Sequence, residues 1–424
     1  MNAVRRAIVV IISFLLCGNT SFAQSATHHY GLRYDLTLKP AEDLAEVSLT
    51  LDERAKDNIW SMRFHIDPAR HQEFAGDGTI EAEGDYVTWK PPGNGGKLSF
   101  HVPVSNLRSN GRFDARMTDE WALFRGDDLF PAASTEQHDN AEAEASLHVH
   151  LPEGWSFVTP YPAIKPHVFG IEHADRSFDR PTGWMAAGRL GVRRERIAGT
   201  RVIVAGPMNE GVGRLDMLAL LNWNLPELRR LVPDMPKRIL VVSAGDPMWR
   251  GGLSGPNSLF VHADRPLLSE NGSSPLVHEM VHVATGIVGE KGADWIVEGI
   301  AEYYSLKLMW RSGTLTDHRY RESFLKLAKW AKEAGRLDVD ASRGPTTARA
   351  VGIMRSLDHE IHKNTDQMKS LDDVVRLLVA AREKVNTERL RKAVIEVTGE
   401  PAKTLSDEEL GFEVKGNSIQ SKPR

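Results

Sequence analysis

Cysteine is almost missing from this chain: 424 residues contain one, Cys17. A disulfide within the chain is therefore excluded, and so is a metal site built from several thiolates. An excess of either charge is also missing. The 53 Lys and Arg nearly balance 57 Asp and Glu, for a formal net charge of −4, which argues against nucleic acid or another polyanion as partner. Internal repeats, heptad arrays and low-complexity tracts are absent. Past the first 23 residues no run approaches the ~20 apolar residues that span a bilayer. No tyrosine follows Tyr320. Stability must come from packing, and at roughly 100 to 200 residues per domain the length predicts two or three domains.

The first 23 residues read as a secretory signal. Arg5 and Arg6 precede the apolar run "AIVVIISFLL", and "SFA" puts small residues before Gln24. Export to a bacterial periplasm or the medium is expected, with cleavage rather than anchoring and no stable membrane insertion afterwards. Cleavage also removes Cys17. Without Arg5 and Arg6, 51 basic residues face 57 acidic ones, a formal charge of −6.

From Tyr30 to about Thr159, segments such as "YGLRYDLTL", "AEVSLTLDE" and "GKLSFHVPV" alternate apolar and polar residues between Gly, Pro and Asn turns. This predicts an N-terminal β-sandwich over residues 24–195. "GRLDMLALLNWNLPELRRLV" has helical periodicity and "KRILVVSAG" reads as a buried strand, opening an α/β domain over 196–312. From 313 to 424 the pattern is a helical domain with a polar tail. The chain is thus expected to be multidomain.

The stretch "SSPLVHEMVHVATGIVGEKGADWIVEGIAEYYS" carries the chemistry. Ser274 and Pro275 suit an N-cap and first helical residue, so His278 and His282, four apart, share a helix face. Two imidazoles one turn apart can hold one Zn²⁺, with Glu279 on the adjoining face beside the water of the site. Asp294 reads as the cap of a second helix, after a connection containing Gly286, Gly289 and Gly292. Glu298 then becomes the third ligand. Two His and one Glu leave a fourth position open, the pattern of a catalytic zinc site with one ion per chain. Glu302, one turn on, is placed to accept the free ring N–H of a ligating histidine. The bland reading of HExxH is a chance match on a solvated helix face, and that of Glu302 a surface carboxylate. The apolar flanks and the capped second helix favour the site.

"HEMVH" followed by "VEGIAEYY" resembles the gluzincin metallopeptidases, most of all the glycyl aminopeptidase family and related aminopeptidases. That resemblance implies a thermolysin-like catalytic domain and hydrolysis of peptide or protein substrates, with Glu279 as general base and His278, His282 and Glu298 on zinc. It also implies that "GGLSGPNSLFV" is the substrate-binding edge strand, with Gly251, Gly252, Leu253 and Ser254 along the peptide. Two departures stand out. Ser254 occupies the position of a glutamate that holds the substrate's α-amine, and Arg349, in "ARAVGIMRSLDHEI", occupies that of a tyrosine that stabilises the oxyanion. Arg349 could itself donate there or be an ordinary helix residue. The alternative to an exported peptidase is a weakened or inactive gluzincin-fold binding or scaffold protein.

Overall fold

The computed structural model describes residues 28–56, 58–172 and 178–412. The expected signal, residues 1–23, and the tail from residue 413 lie outside the described residues.

Alternation builds the first region. His28–Lys39 buries Tyr30, Leu32, Tyr34, Leu36 and Leu38, because successive strand residues point to opposite faces. It pairs antiparallel with Leu44–Leu51 and parallel with Ala141–His150 near the middle of a seven-stranded sheet. A four-stranded and a five-stranded sheet complete the region. The expected two-sheet sandwich is therefore corrected: three sheets surround one core. Trp121–Arg125 and Trp184–Gly188, both in the five-stranded sheet, are the reason. Ala122, Phe124, Met185 and Ala187 enter this core, whereas Trp121, Leu123, Trp184 and Ala186 pack on Ile203, Ala205, Leu240, Val242 and Phe260 of the following region. A near-continuous apolar run marks a strand covered on both faces, and here that strand pair is the seam between two domains.

The second region is a mixed five-stranded sheet in the order Leu190–Ile197, Thr200–Pro207, Arg238–Val242, Ser258–Val261, Gly252–Gly255. The boundary expected between residues 195 and 196 falls inside its first strand, since Leu190 to Ile197 pair residue by residue with Pro207 to Thr200. The helices Arg214–Leu231, Pro275–Thr285 and Asp294–Arg311 share one hydrophobic core with this sheet.

The helical region follows with Asp317–Trp330, Pro345–Asn364, Leu371–Ala381 and Thr387–Thr398. It closes on Asp294–Arg311, which is buried nearly all round. Gly299 of that helix lies so close to Pro345–Asn364 that a Cβ there would stand 2.9 Å from the Ala350 Cβ. A buried polar network adds direction to the contact. Asp358 accepts from Tyr303 at 2.5 Å and from Lys307 at 2.7 Å, while Asp372 accepts from Tyr304 at 2.9 Å and from Arg311 at 2.8 Å. Both carboxyls are held below the usual aspartate range: burial pushes them up, but the Lys307 ammonium beside Asp358 and the Arg311 guanidinium beside Asp372 outweigh it. Among the described residues no helix is long and apolar enough to cross a membrane.

Candidate metal centre

The histidine helix starts as its sequence predicts. The Ser274 hydroxyl accepts from the Val277 N–H at 3.3 Å, and Pro275 takes the first helical position, where its missing N–H costs nothing. The helix ends at Gly286, whose φ of 59° makes the left-handed cap, and the chain turns back into Asp294–Arg311. Here one expectation is corrected. Asp294 does not cap this helix; Ala293 occupies the cap without a side-chain bond. Asp294 is the first helical residue, and its Oδ2 accepts from the Ser342 N–H at 2.5 Å. A carboxylate at a helix N-terminus is favourable either way, and a partner 48 residues away leaves no local sequence signal.

The two helices bring three side chains to one point. The Nε2 atoms of His278 and His282 lie 3.1 Å apart. Glu298 reaches both, with Oε2 at 3.4 Å from His278 Nε2 and Oε1 at 3.3 Å from His282 Nε2. His278 Nδ1 lies 2.9 Å from Glu302 Oε2. A carboxylate can only accept there, so Nδ1 carries a proton, and in the neutral form of the ring the Nε2 lone pair faces the centre. Charge follows from this crowding. Burial disfavours a positive His278, but Glu298 and Glu302 lift its pKa well above the ordinary imidazole value. Burial likewise works against an ionised Glu298, yet the two imidazoles hold its carboxyl well below the usual range. His278, His282 and Glu298 are the group among the described residues that could hold a metal ion.

Glu279 stands beside the cluster, 8% exposed. Burial raises its pKa, and the imidazoles of His278 and His282 and the Ser254 hydroxyl only partly offset it. The wall behind it is the edge strand Gly252–Gly255, with Gly251 just before it. A Cβ on Gly252 would fall 2.6 Å from Glu279 Cγ and 2.7 Å from Oε1, so only glycine lets strand and carboxylate lie this close. The His262 N–H donates to Gly251 O at 3.1 Å. By the alternation of an antiparallel pair, Leu253 and Gly255 also turn their main chain toward Ser258–Val261, leaving Gly252 and Ser254 facing the open edge. Trp184 fixes the strand from the β-rich region: its indole N–H donates to Leu253 O at 2.9 Å and its main-chain N–H to Ser258 Oγ at 2.7 Å.

Among solved structures, the chain superposes on the crystal structure of an aminopeptidase N family protein from Idiomarina loihiensis with a TM-score of 0.60, over 82% of this chain and 70% of that one. The chain has an aminopeptidase N-like fold. At 16% identity the likeness concerns architecture, and no protein-family model or curated protein matches the sequence. Within the aminopeptidase N-like fold, what the site does must be argued from its own residues.

Not every expected residue joins the site. Arg349 is directed away from it: its guanidinium donates to Gly335 O and to Leu410 O, each at 3.0 Å. Helix geometry is the cause. Ala350 faces Gly299, and one residue earlier on a helix points about 100° away. The seven tyrosines of the chain are engaged elsewhere too. Tyr303 and Tyr304 bond to Asp358 and Asp372, Tyr320 stacks on Trp310, and Tyr30, Tyr34, Tyr86 and Tyr161 belong to the β-rich region. Gly252 and Trp184 are the supporting residues that sequence reasoning missed as such. A tryptophan in the apolar run "GWMAAG" signals burial, but not what it touches.

Proposed function

We propose that the chain is a zinc-dependent peptidase that cleaves peptide bonds with water and uses Glu279 as general base. The observation that carries this reading is the convergence of His278, His282 and Glu298. Ligand atoms at about 2.0 to 2.1 Å from a tetrahedral zinc lie about 3.3 Å from one another; here the two imidazole nitrogens are 3.1 Å apart, and Glu298 approaches them with one carboxylate oxygen each, Oε1 at 3.3 Å from His282 and Oε2 at 3.4 Å from His278. Two neutral nitrogens and one carboxylate suit zinc and leave one corner for water or substrate. When bound, zinc supplies a Lewis acid that polarises the scissile carbonyl and acidifies the water.

The chain's own residues do the rest. Glu302 keeps the His278 proton on Nδ1, so that Nε2 stays a donor toward the ion. Glu279 takes a proton from the water and returns it to the leaving nitrogen, and its raised pKa brings a carboxylate nearer the range where both transfers are easy. The open edge of Gly252 and Ser254 suits an extended peptide bound by main-chain hydrogen bonds, with little demand on its sequence. The signal-like first 23 residues extend the proposal to an exported enzyme.

One observation favours a second reading. With Arg349 turned away and the tyrosines engaged elsewhere, the oxyanion lacks the donor that the resemblance implies, as in a binding module that keeps its metal without turnover. Metal analysis and cleavage of a broad peptide library, for wild type and Glu279→Gln, separate the two. One zinc per chain in both proteins and hydrolysis by wild type alone is the expected outcome. Zinc in both without hydrolysis in either supports the module, and wild type without zinc overturns both readings.

A further inference from the structure

We propose that the face formed by helix Arg214–Leu231 and strand Leu190–Ile197 docks on an anionic lipid surface. The strand is the outermost of its sheet, and the opposite edge is Gly252–Gly255, so a chain docked this way keeps the metal centre's groove free.

The strand and its turn, "RLGVRRERIAGTR", hold five arginines and one glutamate in a chain whose net charge is −4. Arg189, Arg193, Arg194, Arg196 and Arg201 are all exposed. Those that bond do so with nearby main chain, Arg193 with Val192 O at 3.2 Å and Arg196 with Gly199 O at 3.3 Å. The lone Glu195 is partly occupied by Asn222, at 3.1 Å. Strand alternation sends Arg193 to the helix side, with Gly191, Glu195 and Ile197, and Arg194 and Arg196 to the opposite side, with Leu190 and Val192, so positive charge lines both sides of this edge without being spent on ion pairs among the described residues.

The helix lies alongside it. Arg214 pins its first turn, donating to Gly191 O at 2.7 Å and to Gly206 O at 2.7 Å, and Asn222 ties its middle to Glu195. Its solvent face is apolar where helices normally carry charge: Leu215 is 65% exposed and Trp223 63%, two turns apart with Ala219 between them. Met208, 53% exposed, continues the patch beside Arg189, whose carbonyl accepts its N–H at 2.9 Å. Asp216 and Glu227 are the acidic residues on its flank, and Glu227 is paired with Arg230. A tryptophan and aliphatic side chains that enter the headgroup layer, bordered by arginines that meet lipid phosphates, make a surface-lying rather than spanning element. Pairing with a second copy along this edge would set arginine row against arginine row, which disfavours a dimer.

The test is co-sedimentation of the chain from Gln24 onward, which retains every described residue, with vesicles of phosphatidylcholine alone or mixed with phosphatidylglycerol. Binding is expected only to the anionic vesicles and should weaken with salt. Each arginine near the surface contributes about fivefold to binding, so Arg193→Gln, Arg194→Gln and Arg196→Gln together should weaken it about a hundredfold. Trp223→Ser should weaken it several-fold, and Lys329→Glu with Lys332→Glu, on another face, should leave it unchanged. The proposal is overturned by absent binding, by equal binding to neutral vesicles, by variants that bind like wild type, or by an equal loss in the Lys329 and Lys332 variant. Capture by polyglutamate without vesicle binding overturns it in favour of an acidic protein partner.

Discussion

Replacing Gly252 by alanine tests whether the edge strand holds Glu279, the proposed general base, in position. The new Cβ would stand 2.6 Å from Glu279 Cγ, against the roughly 3.5 to 4.0 Å at which carbon atoms rest. About an ångström must be found. The strand resists retreat because Trp184 holds Leu253 O and Ser258–Val261 pairs along it. The helix resists because Leu276, Val277, Met280 and Val281 are each at most 2% exposed. The Glu279 side chain must therefore yield. A displacement near 1 Å in a reacting group costs about a hundredfold in rate, or roughly 2.7 kcal/mol, and overpacking a filled site costs ~1 to 3 kcal/mol of stability. Gly252→Ala should thus lower kcat/KM about a hundredfold on a peptide the wild type cleaves, and zinc content should not change because the ligands lie on other faces. Added to Glu279→Gln, the same change should cost little more, since both act through one carboxylate. A Gly252→Ala enzyme with wild-type kcat/KM, or with full additivity in that cycle, refutes the reasoning.

Three other outcomes are expected. With Ser254 in the edge strand in place of a carboxylate, acetylating a substrate's N-terminus should change kcat/KM less than tenfold, whereas a free-amine preference above about a hundredfold would assign amine binding to another acidic residue. Arg349→Ala should leave kcat/KM nearly unchanged while lowering stability by about 1 kcal/mol through the lost bonds to the Gly335 and Leu410 carbonyls; a hundredfold loss of kcat at unchanged Tm would restore its oxyanion role. Asp358 and Asp372 have folded pKa values below the unfolded value near 3.9, so the stability they contribute is complete above about pH 4 and is lost as pH falls through the folded values. Asp358→Asn should then lower Tm more at pH 7 than at pH 3, and an equal drop at both would show that its charge is not what stabilises.

How much of this was legible before the structure depends on the range over which each residue acts. Strand alternation and helical periodicity are local, so the order of a β-rich region, a mixed sheet with helices and a helical region could be read directly. The third sheet of the first region could not. Trp121–Arg125 and Trp184–Gly188 advertise burial on both faces, but only assembly reveals that one face belongs to the next domain. The same limit moved the boundary from residue 196 to Leu190: "LGVRRERI" is so polar that nothing local ties it to the sheet it joins, and its partner "TRVIVAGP" supplies the apolar half.

The site divides in the same way. His278, Glu279 and His282 are fixed relative to one another by a single helix, and Glu298 and Glu302 by a second helix that a short glycine-containing turn folds back on the first. Five residues could therefore be placed together from spacing alone, and the 2.9 Å contact of Glu302 with His278 shows that even the outer carboxylate lay within that logic. What spacing cannot supply is the other wall. Gly252 matters through a side chain it lacks, and that becomes visible only when the hairpin and the histidine helix are packed together. Arg349 illustrates the converse error, since a residue matched by its neighbours in sequence is still aimed by helix phase. Ala350 occupies the face toward Gly299 and sends Arg349 to Gly335 and Leu410. On the proposed reading the metal ligands come from two helices that are adjacent in sequence, whereas groups that grip substrate would come from several elements. Ser254 and Arg349 are both of that second kind, so substrate preference is where this chain should differ most from the proteins whose fold it shares.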